Sequence, residues 1–291
     1  YYAEKNTITR IRQKSADLRH LVQTALDRSR KKYDLQLKQL KDTEKRDKYR
    51  IYGELLNTYG YSAAPGARSL EALNYYTNEM ITIPLDETLT ATENAKKYFD
   101  RYGKLKRTYE ALTTLTQETK DTIDHLESIL TALNIALAEE DLVQIREELA
   151  ESGYIRRKGG QKKVKITSRP FHYLSSDGFH IYVGKNNLQN DTLTFKFASG
   201  GDWWFHAKGI PGSHVVVKTE GKPLPDRTFE EAAALAAYYS GARGSEKAEV
   251  DYIEKKHVKK PAGARPGFVV YYTNYSMSIG TDISGIQLLE S

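Results

Sequence analysis

The chain has 291 residues, which is enough for one large domain or two of ordinary size. It contains no cysteine, which excludes disulfides, thiolate metal sites and cysteine nucleophiles. The net charge of +6 lies entirely in residues 151–291, with 20 Lys and Arg against 14 Asp and Glu, because residues 1–150 carry 24 of each sign. This basic excess suits a polyanionic partner such as RNA, although an ordinary, slightly basic surface explains it equally well.

The beginning of the chain and its apolar runs bear on the cellular compartment. The longest apolar runs, 232–239 and 268–272, are far shorter than the ~18–20 residues of a membrane-spanning helix, so we expect no membrane insertion. Tyr1 is not followed by a secretory leader, and the chain begins directly in a helical pattern. We therefore expect a piece of a longer cytoplasmic protein, and the lack of cysteine fits a reducing compartment.

A first helical pattern runs from Ile11 to about Leu56, without proline and without glycine before Gly53. Apolar or small residues recur in steps of three and four, and charged residues fill the other positions. This pattern predicts one long amphipathic helix.

A second and more regular pattern lies between Ala95 and Leu137, where steps of three and four alternate as in a heptad repeat. Thr90 and Glu93 form a capping box that would begin this helix. Because neither helix can bury its apolar stripe alone, we predict a long antiparallel two-helix coiled-coil arm over residues 1–152. Such an arm satisfies its own stripe, which predicts a monomer.

The connection between the two patterns, at about residues 57–89, is predicted to form an ordered tip. Residues 73–76 and 80–84 are expected to pair as a short hairpin. The candidate ribosome-contact residues of the tip are Tyr59, Tyr61, Tyr75 and Tyr76. Packing of these rings on the hairpin itself is an equally good explanation.

The second half, residues 153–291, is predicted to be a compact, basic, mixed α+β domain. Short β-rich runs between turn residues predict strands at 180–184, 192–197, 203–206, 214–218, 268–273 and 276–280. An alanine-rich run at 232–239 predicts one helix, preceded by a capping box of Thr228 and Glu231. The fold class of the whole chain is therefore α+β.

No set of residues predicts catalysis. His206 and His214 follow Asp202 closely, but their spacing offers no third ligand for a metal ion. Ser213 lacks the nucleophile elbow of a hydrolase, and neither a phosphate-binding glycine loop nor a dinucleotide fingerprint is present. We therefore expect a protein that is not an enzyme and holds no metal or cofactor, and we interpret Asp202 and His206 primarily as structural residues.

What remains in the second half is a set of residues suited to RNA. Basic side chains contact phosphates, amides hydrogen-bond to base edges, and exposed aromatic rings stack on unpaired bases. Alternation along a strand would bury one of Trp203 and Trp204 and expose the other. The candidate RNA-binding residues are Arg156, Arg157, Lys158, Lys162, Lys163, Lys185, Asn186, Asn187, Asn190, Trp203, His206, Lys208, His214, Lys255, Lys256, His257, Lys259 and Lys260.

Five segments of the chain resemble the NFACT family. Four of them, in order, resemble its C-terminal NFACT-R domain: GKNNLQNDTLTFKFA (184–198), DWWFHAKGIPGSHVV (202–216), EEAAALAAYYSGAR (230–243) and VDYIEKKHVKKPAGARPGFVVY (250–271). The preceding segment IPLDETLTATENAKKYFDRYGKLKR (83–107) resembles the middle coiled-coil segment of the family. The resemblance covers nearly the whole chain.

The resemblance implies a function that the residues alone do not. Members of the family bind the large ribosomal subunit when a nascent chain is stuck on its peptidyl-tRNA, and bacterial members recruit alanyl-tRNA for template-free tailing of that chain. The ribosome forms the bonds, so such a protein binds and positions its partners. The resemblance also implies that the arm spans the subunit surface, that the basic domain binds RNA, and that the family's N-terminal nucleic-acid-binding domain precedes Tyr1.

A function of a different class remains open. The same family includes proteins described as fibronectin-binding, so this chain is alternatively part of a surface-displayed adhesin that binds fibronectin or fibrinogen. The sequence shows no export signal, sorting tail or repeated ligand-binding segment. A basic surface would nevertheless attract an acidic matrix protein, so a location at the cell surface, in addition to the cytoplasm, accompanies this alternative.

Overall fold

The computed structural model describes residues 2–157 and 164–291, with side chains from residue 5 onward. The chain packs as two compact units, which we name the sheet unit, Tyr1–Leu26 with Asp124–Ser291, and the hairpin unit, Asp27–Ile123. The predicted ranges 1–152 and 153–291 do not coincide with these units, because both ends of the helical half pack with the second half. Within the described ranges, no helix is long and apolar enough to cross a membrane.

The first helical pattern forms three helices: α1 (Tyr2–Lys14), α2 (Ala16–Asp42) and α3 (Arg46–Tyr59). The single helix predicted over 11–56 is therefore wrong. At Ser15 the backbone ladder continues, since the Ser15 N–H donates to the Ile11 carbonyl (2.9 Å) and the Arg19 N–H donates to the Ser15 carbonyl (2.9 Å). At the second break the ladder tightens to i→i−3 bonds, and the Thr43 hydroxyl donates to the Leu40 carbonyl (2.6 Å). A side-chain bond of this kind competes with the hydrogen bonds of the helix. The pattern of apolar residues does not reveal such a bond, so the break could not be predicted from that pattern.

The second pattern forms α4 (Ala91–Ile135) and α5 (Glu139–Glu151). The predicted capping box is confirmed, since the Thr90 backbone N–H donates to Glu93 Oε2 (2.7 Å) and the Glu93 N–H donates to Thr90 Oγ1 (3.2 Å). With 45 residues, α4 is as long as predicted. Among the described residues no second helix has that length, since α2 has 27 residues and α3 has 14, so the predicted two-helix coiled-coil arm is not clearly formed.

In the hairpin unit, β1 (Ser69–Asn74) and β2 (Glu79–Pro84) form the predicted antiparallel hairpin. Helix α3 runs antiparallel to the start of α4, because Gly53 lies against Phe99 while Gly60 lies against Ala91. A Cβ at Gly53 would approach the Phe99 ring to 2.8 Å, so the close approach of the helices requires glycine there. The core of this unit contains Leu55, Leu56, Leu70, Ala72, Ile83 and Ala95.

The second half contains a seven-stranded antiparallel sheet, which confirms the α+β fold class. Its strands are β3 (Phe171–Leu174), β4 (His180–Val183), β5 (Trp203–Ala207), β6 (Val215–Val217), β7 (Lys247–Glu254), β8 (Tyr275–Gly280) and β9 (Gln287–Glu290). They are ordered β8-β7-β5-β6-β4-β3-β9 across the sheet. The central strands β5 and β6 are the most deeply buried, because helices cover both of their faces.

Helix α7 (Asp226–Tyr238) covers one face of the sheet with a run of buried alanines, whose small side chains permit close packing. The capping box predicted from Thr228 and Glu231 is wrong. The Thr228 hydroxyl instead donates to Asp177 Oδ2 (3.0 Å), and Glu231 Oε2 accepts from the Ser176 backbone N–H (2.9 Å). Both residues thus tie α7 to the β3–β4 turn.

The opposite face is covered by α6 (Asn187–Thr192) and the π-helical turn Leu193–Phe197 that continues it. The strand predicted at 192–197 is therefore wrong, because Leu193 packs on buried Trp204 from a helical segment. The strand predicted at 268–273 is also wrong: that segment makes only a bridge between Lys259 and Val270. Both runs have strand-like composition, but neither pairs with a strand of the sheet.

Candidate nucleic-acid interface

Residues 196–202 and the basic segment 255–260 are far apart in the chain and meet at one end of β5 and β7. The Lys255 backbone N–H donates to the Asp202 carbonyl (2.8 Å), and the Lys256 N–H donates to the Gly200 carbonyl (3.0 Å). Strand register supports the meeting, since Trp203 at the start of β5 pairs with Glu254 at the end of β7. The resulting surface, which we name the lysine surface, comprises Lys196, Phe197, Lys255, Lys256, His257, Lys259 and Lys260.

Three lysines of this surface, Lys196, Lys255 and Lys259, have no ion-pair partner among the residues that the structure describes. Lys256 pairs with Glu254 at 2.7 Å and Lys260 pairs with Asp191 at 2.7 Å. The surface therefore keeps uncompensated positive charge, which favours contacts with phosphates.

Phe197 supplies an aromatic ring to the lysine surface and was not predicted as a contact. It is 41% exposed at the end of the π-helical turn. Lys218 Nζ lies 4.9 Å from the centre of its ring, and the Tyr182 ring lies edge-on at 4.7 Å. The sequence analysis did not identify Phe197 because it predicted a strand at 192–197. The exposure of the ring follows from the helical turn that forms there instead.

Asp202 holds the base of the lysine surface in place. Its buried carboxylate accepts from the Ser199 N–H (2.7 Å), the Thr219 N–H (3.0 Å) and Lys218 Nζ (2.6 Å). Burial by itself raises the pKa of Asp202, but the hydrogen bonds from Lys218, Thr219 and Ser199 outweigh burial and lower that pKa. The structural role predicted for Asp202 is thus supported.

The polar residues 185–190, which we name the amide loop, lie in a buried network. Lys185 Nζ pairs with Asp141 Oδ1 at 3.0 Å, and their side chains are only 4% and 2% exposed. The Ser168 hydroxyl also donates to Asp141 Oδ1 (2.6 Å). The ion pair joins the segment after β4 to the start of α5 within the sheet unit, and the buried Lys185 presents no charge to solvent.

The amides of this loop are engaged in the same way. Asn186 Nδ2 and Gln189 Nε2 both donate to Gln144 Oε1 (2.9 and 2.8 Å), while Asn187 Nδ2 donates to Glu148 Oε1 (2.7 Å). Asn190 Oδ1 accepts from the backbone N–H of His214 at 3.0 Å. The structure therefore contradicts the RNA contacts predicted for Lys185, Asn186, Asn187 and Asn190, because internal partners occupy these groups.

Of the three histidines predicted to contact RNA, His214 is buried and His206 is partly buried. His214 is buried, and its Nδ1 lies 2.8 Å from the hydroxyl of Thr194. Burial first, and then the neighbouring imidazole of His206, lower the pKa of His214 well below its ordinary value. Burial also lowers the pKa of His206, which is partly buried with its ring edge-on to that of His214 at 5.6 Å. The predicted RNA contact of His214 is contradicted, and the structural interpretation of His206 is supported.

The two tryptophans lie on opposite faces of the sheet. Trp204 is fully buried beside His214 (ring centres 5.0 Å apart), whereas Trp203 is partly buried against Phe229 of α7 (4.8 Å). The predicted alternation is confirmed for the burial of Trp204, whereas the exposure predicted for the other ring is found only in part. Trp203, however, lies among the rings of the α7 face, so it does not belong to the lysine surface.

The other predicted RNA contacts are scattered. Lys208 is exposed just after β5, at the end of that strand opposite the lysine surface. Arg156 is exposed, and the exposed Arg157 pairs with Glu147 and, at 3.8 Å, with Glu151 of α5. Lys158, Lys162 and Lys163 lie outside the described residues. Of the predicted set, the structure therefore brings together Lys255, Lys256, His257, Lys259 and Lys260.

The hairpin unit presents the predicted tip tyrosines in two ways. Tyr61, Tyr75 and Tyr76 are exposed, with Tyr61 the most accessible at 87%. Tyr59 is partly buried and packs on the core of the unit. The Tyr76 hydroxyl donates to Glu54 Oε2 at 2.7 Å, so this ring is held against α3. Three of the four rings are therefore accessible to a partner.

Within the part of the chain that the structure describes, no group of three or more His, Asp or Glu side chains is arranged to hold a metal ion. The chemistry available at the lysine surface is therefore that of ionic contact and ring stacking: ammonium groups for phosphates and one exposed ring for a base.

Comparison with known proteins agrees with the resemblance seen in the motifs. A family model for NFACT N-terminal and middle domains matches residues 1–168, and a model for the NFACT protein RNA binding domain matches residues 169–272. The second range contains the whole lysine surface.

Curated relatives match almost all of this chain. The Rqc2 homolog RqcH of Streptococcus suis is 46% identical over 273 residues, which are 93% of this chain and 49% of that protein. The Rqc2 homolog RqcH of Streptococcus pneumoniae serotype 2 is 44% identical over 283 residues, or 97% of this chain and 51% of that protein. The chain thus spans about half the length of the curated relatives it matches.

A solved structure is similar over the same extent. The C-terminal part of the fibronectin/fibrinogen-binding protein from Streptococcus suis matches with a TM-score of 0.74 and 39% identity. The match covers 96% of this chain and 99% of that one.

Proposed function

This chain belongs to the NFACT family, and from that premise we propose that it is the part of a ribosome quality-control factor that binds the large ribosomal subunit through RNA. The lysine surface carries the proposal. Lys196 is adjacent in the chain to the exposed Phe197, and Lys255 Nζ lies 5.8 Å from the centre of the Phe195 ring, within a domain that matches the family's RNA-binding model. Phosphates would contact Lys196, Lys255 and Lys259, and an unpaired base would stack on Phe197.

The finer proposal concerns the state of the ribosome. The family resemblance favours a subunit that is obstructed by peptidyl-tRNA, and recruitment of alanyl-tRNA for template-free tailing of the stalled chain. Since this chain spans about half of its relatives, we assign tRNA selection to the N-terminal part of the longer protein. The chain itself would bind and position its partners as a cytoplasmic, non-enzymatic monomer, and the ribosome would form the bonds.

The long helix α4 and the exposed rings of the hairpin unit support a second contact with the subunit. Tyr61, Tyr75 and Tyr76 are accessible, and the apolar cross-strand pair Leu73 and Met80 is exposed beside them. Aromatic and methionine side chains of this kind are enriched in protein interfaces. We therefore assign the hairpin unit to a protein or RNA contact on the subunit.

Co-sedimentation with ribosomal subunits tests the proposal. The chain is mixed with large subunits that carry peptidyl-tRNA, with empty large subunits as the control, across a salt series. We expect saturable binding that prefers the loaded subunits and weakens as salt rises, because phosphate contacts release counterions. The proposal for this part of the protein would be contradicted if the chain bound loaded and empty subunits equally well, or if it bound neither.

A deletion separates the hairpin unit from the lysine surface. Replacing residues 61–84 by a short loop removes the exposed rings and also Leu70, Ala72 and Ile83 of the hairpin-unit core, so the result counts only if circular dichroism shows the helix content of the remaining residues to be kept. We expect loss of subunit binding but unchanged binding of free RNA. Subunit binding equal to that of the intact chain would refute the tip contact.

A second candidate function is binding of fibronectin or fibrinogen, and the single observation for it is the streptococcal structure described by that activity. We do not favour it, because the curated relatives of streptococci that match the chain are RqcH proteins. Binding of the chain to immobilised fibronectin, measured across the same salt series, distinguishes the two candidates. The adhesin would be favoured if this binding is saturable and does not change when the charges of the lysine surface are reversed.

A further inference from the structure

An aromatic cavity of about 500 Å³ opens between the first turns of α7 and strands β5, β7 and β8. Its lining includes the aromatic residues Trp203, Phe229, Tyr252 and Tyr275 and two exposed acidic residues, Asp226 and Glu230, which we name its mouth. The volume lies within the ~300–1,000 Å³ that is usual for ligand sites. The proposed RNA contacts make no use of this cavity.

The rings of the aromatic cavity are held by the fold. Tyr252 and Tyr275 are direct cross-strand partners, stacked with their centres 5.4 Å apart. Trp203 stands edge-on to Phe229 at 4.8 Å and lies 5.9 Å from Tyr252. Tyr275 is 59% exposed, so this wall faces solvent although the other rings are partly buried. The arrangement is an open aromatic groove whose rings are fixed by packing on one another, and Tyr252 also stacks on Phe205 at 5.6 Å.

The mouth of the cavity is negative. Asp226 and Glu230 lie four residues apart on one face of α7, and both are exposed. Neither carboxylate has an ion-pair or hydrogen-bond partner in the described ranges. The adjacent basic side chain, Arg227, is paired with Glu231 at 3.3 Å. The two carboxylates at the mouth are therefore left for a ligand.

We propose that the aromatic cavity binds an arginine side chain presented by a basic segment of a protein partner. The faces of aromatic rings carry partial negative charge and attract cations, and two carboxylates at the mouth add to that attraction. A planar guanidinium stacks on rings and donates to two carboxylates at once, which a compact ammonium does not. The same carboxylates repel phosphate, so the charge of the site selects a basic peptide over RNA.

A peptide titration tests the inference. A fluorescein-labelled peptide of alternating glycine and arginine is titrated with the chain, and its anisotropy is followed. The control peptide carries citrulline, which has nearly the same shape and no charge, in place of each arginine. We expect saturable binding of the arginine peptide and at least about tenfold weaker binding of the citrulline peptide.

Variants locate the binding. The double variant Asp226→Asn with Glu230→Gln should weaken binding of the arginine peptide about tenfold, and Trp203→Phe, which keeps an aromatic ring at this position, should weaken it about threefold. The matched control is Glu249→Gln, an exposed carboxylate on β7 that alternates with Val250 and so points to the opposite face of the sheet. All variants should keep the wild-type melting curve.

The outcomes are distinct. Wild-type peptide affinity in the double variant, or equal losses in the double variant and in Glu249→Gln, would overturn the inference. Tighter binding of a single-stranded RNA by the double variant, without loss of the peptide, would overturn it in favour of a nucleic-acid site. RNA binding through the lysine surface should be unaffected by Trp203→Phe, so this inference can fail while the proposed function holds.

Discussion

The amide loop and the lysine surface are both rich in polar side chains that could contact RNA. The amide loop lies inside the sheet unit, whereas the lysine surface lies on its outside. In the amide loop, Lys185 finds a buried carboxylate at 3.0 Å, and the amides find partners on α5. In the lysine surface, Lys255 and Lys259 find none among the described residues. The difference shows that distant parts of the fold, and not the composition of a polar segment, decide whether its groups are paired internally.

The largest expected effect concerns stability. Lys185→Met leaves the buried Asp141 carboxylate without its ion pair, which should lower the free energy of unfolding by about 3–5 kcal/mol. Urea unfolding followed by tryptophan fluorescence measures this, since both tryptophans lie in the sheet unit. The matched control, Lys255→Met, should change it by less than about 0.5 kcal/mol. If Lys185→Met kept the stability of the intact chain but bound RNA more weakly, the amide loop would be an RNA contact after all.

The next effect concerns RNA affinity. Glutamate at Lys255, Lys256, Lys259 and Lys260 should abolish measurable binding of single-stranded RNA while the melting curve is kept. The slope of log affinity against log salt should flatten by about 0.7 for each phosphate contact that is lost. Filter binding across a salt series measures both quantities.

A charge-matched variant controls for the net charge of the protein. Glutamate at Lys31, Lys32, Lys38 and Lys41 of α2 makes the same change in net charge on exposed residues of the hairpin unit. This variant should retain most of the affinity for free RNA. Equal losses in the two variants would show that RNA responds to total charge and not to the lysine surface.

A smaller effect is expected from the exposed ring. Phe197→Ala removes the one aromatic side chain of the lysine surface and should cost about 1–3 kcal/mol of single-stranded RNA affinity. Leu288→Ala, which truncates an exposed apolar side chain on the edge strand β9, is the control and should have no effect on RNA. Equal affinities in Phe197→Ala and the intact chain would exclude stacking on this ring.

The smallest effect that we expect is a loss of stability in mild acid, confined to the interior. Burial lowers the pKa values of His206 and His214 in the folded protein, so the unfolded chain binds more protons as pH falls below the ordinary histidine pKa of about 6.5. The contribution of both groups is complete above that pH and is lost progressively below it. Thermal melts from pH 7.5 to about 5.5 should show a falling Tm. A constant or rising Tm would contradict the buried, neutral state of these rings.

The sequence predicts the features that depend on local pattern. The heptad-like stripe predicts α4, the capping box of Thr90 and Glu93 predicts its start, and alternation predicts the opposite faces of Trp203 and Trp204. The resemblance of motifs predicts the family. In each case the residues that determine the feature lie close together in the chain, so the pattern within one segment is enough to predict it.

The features that the sequence does not predict depend on distant partners. No residue close to Lys185 in the chain indicates that Asp141 lies beside it in the fold. The sequence of residues 185–190 therefore predicts a basic, exposed loop. The helical conformation of residues 192–197 depends on packing against Trp204, and the exposure of Phe197 follows from it. The aromatic cavity likewise needs β8 beside β7 and α7 above them.

The most direct test of the contrast between the two regions is to locate RNA on the protein. A single-stranded RNA that contains 4-thiouridine is cross-linked to the chain by ultraviolet light, and the modified peptides are identified by mass spectrometry. We predict cross-links at residues 195–201 and 255–260, within the lysine surface, and none at residues 185–190. Cross-links confined to the amide loop, or to Trp203 in the aromatic cavity, would contradict the account.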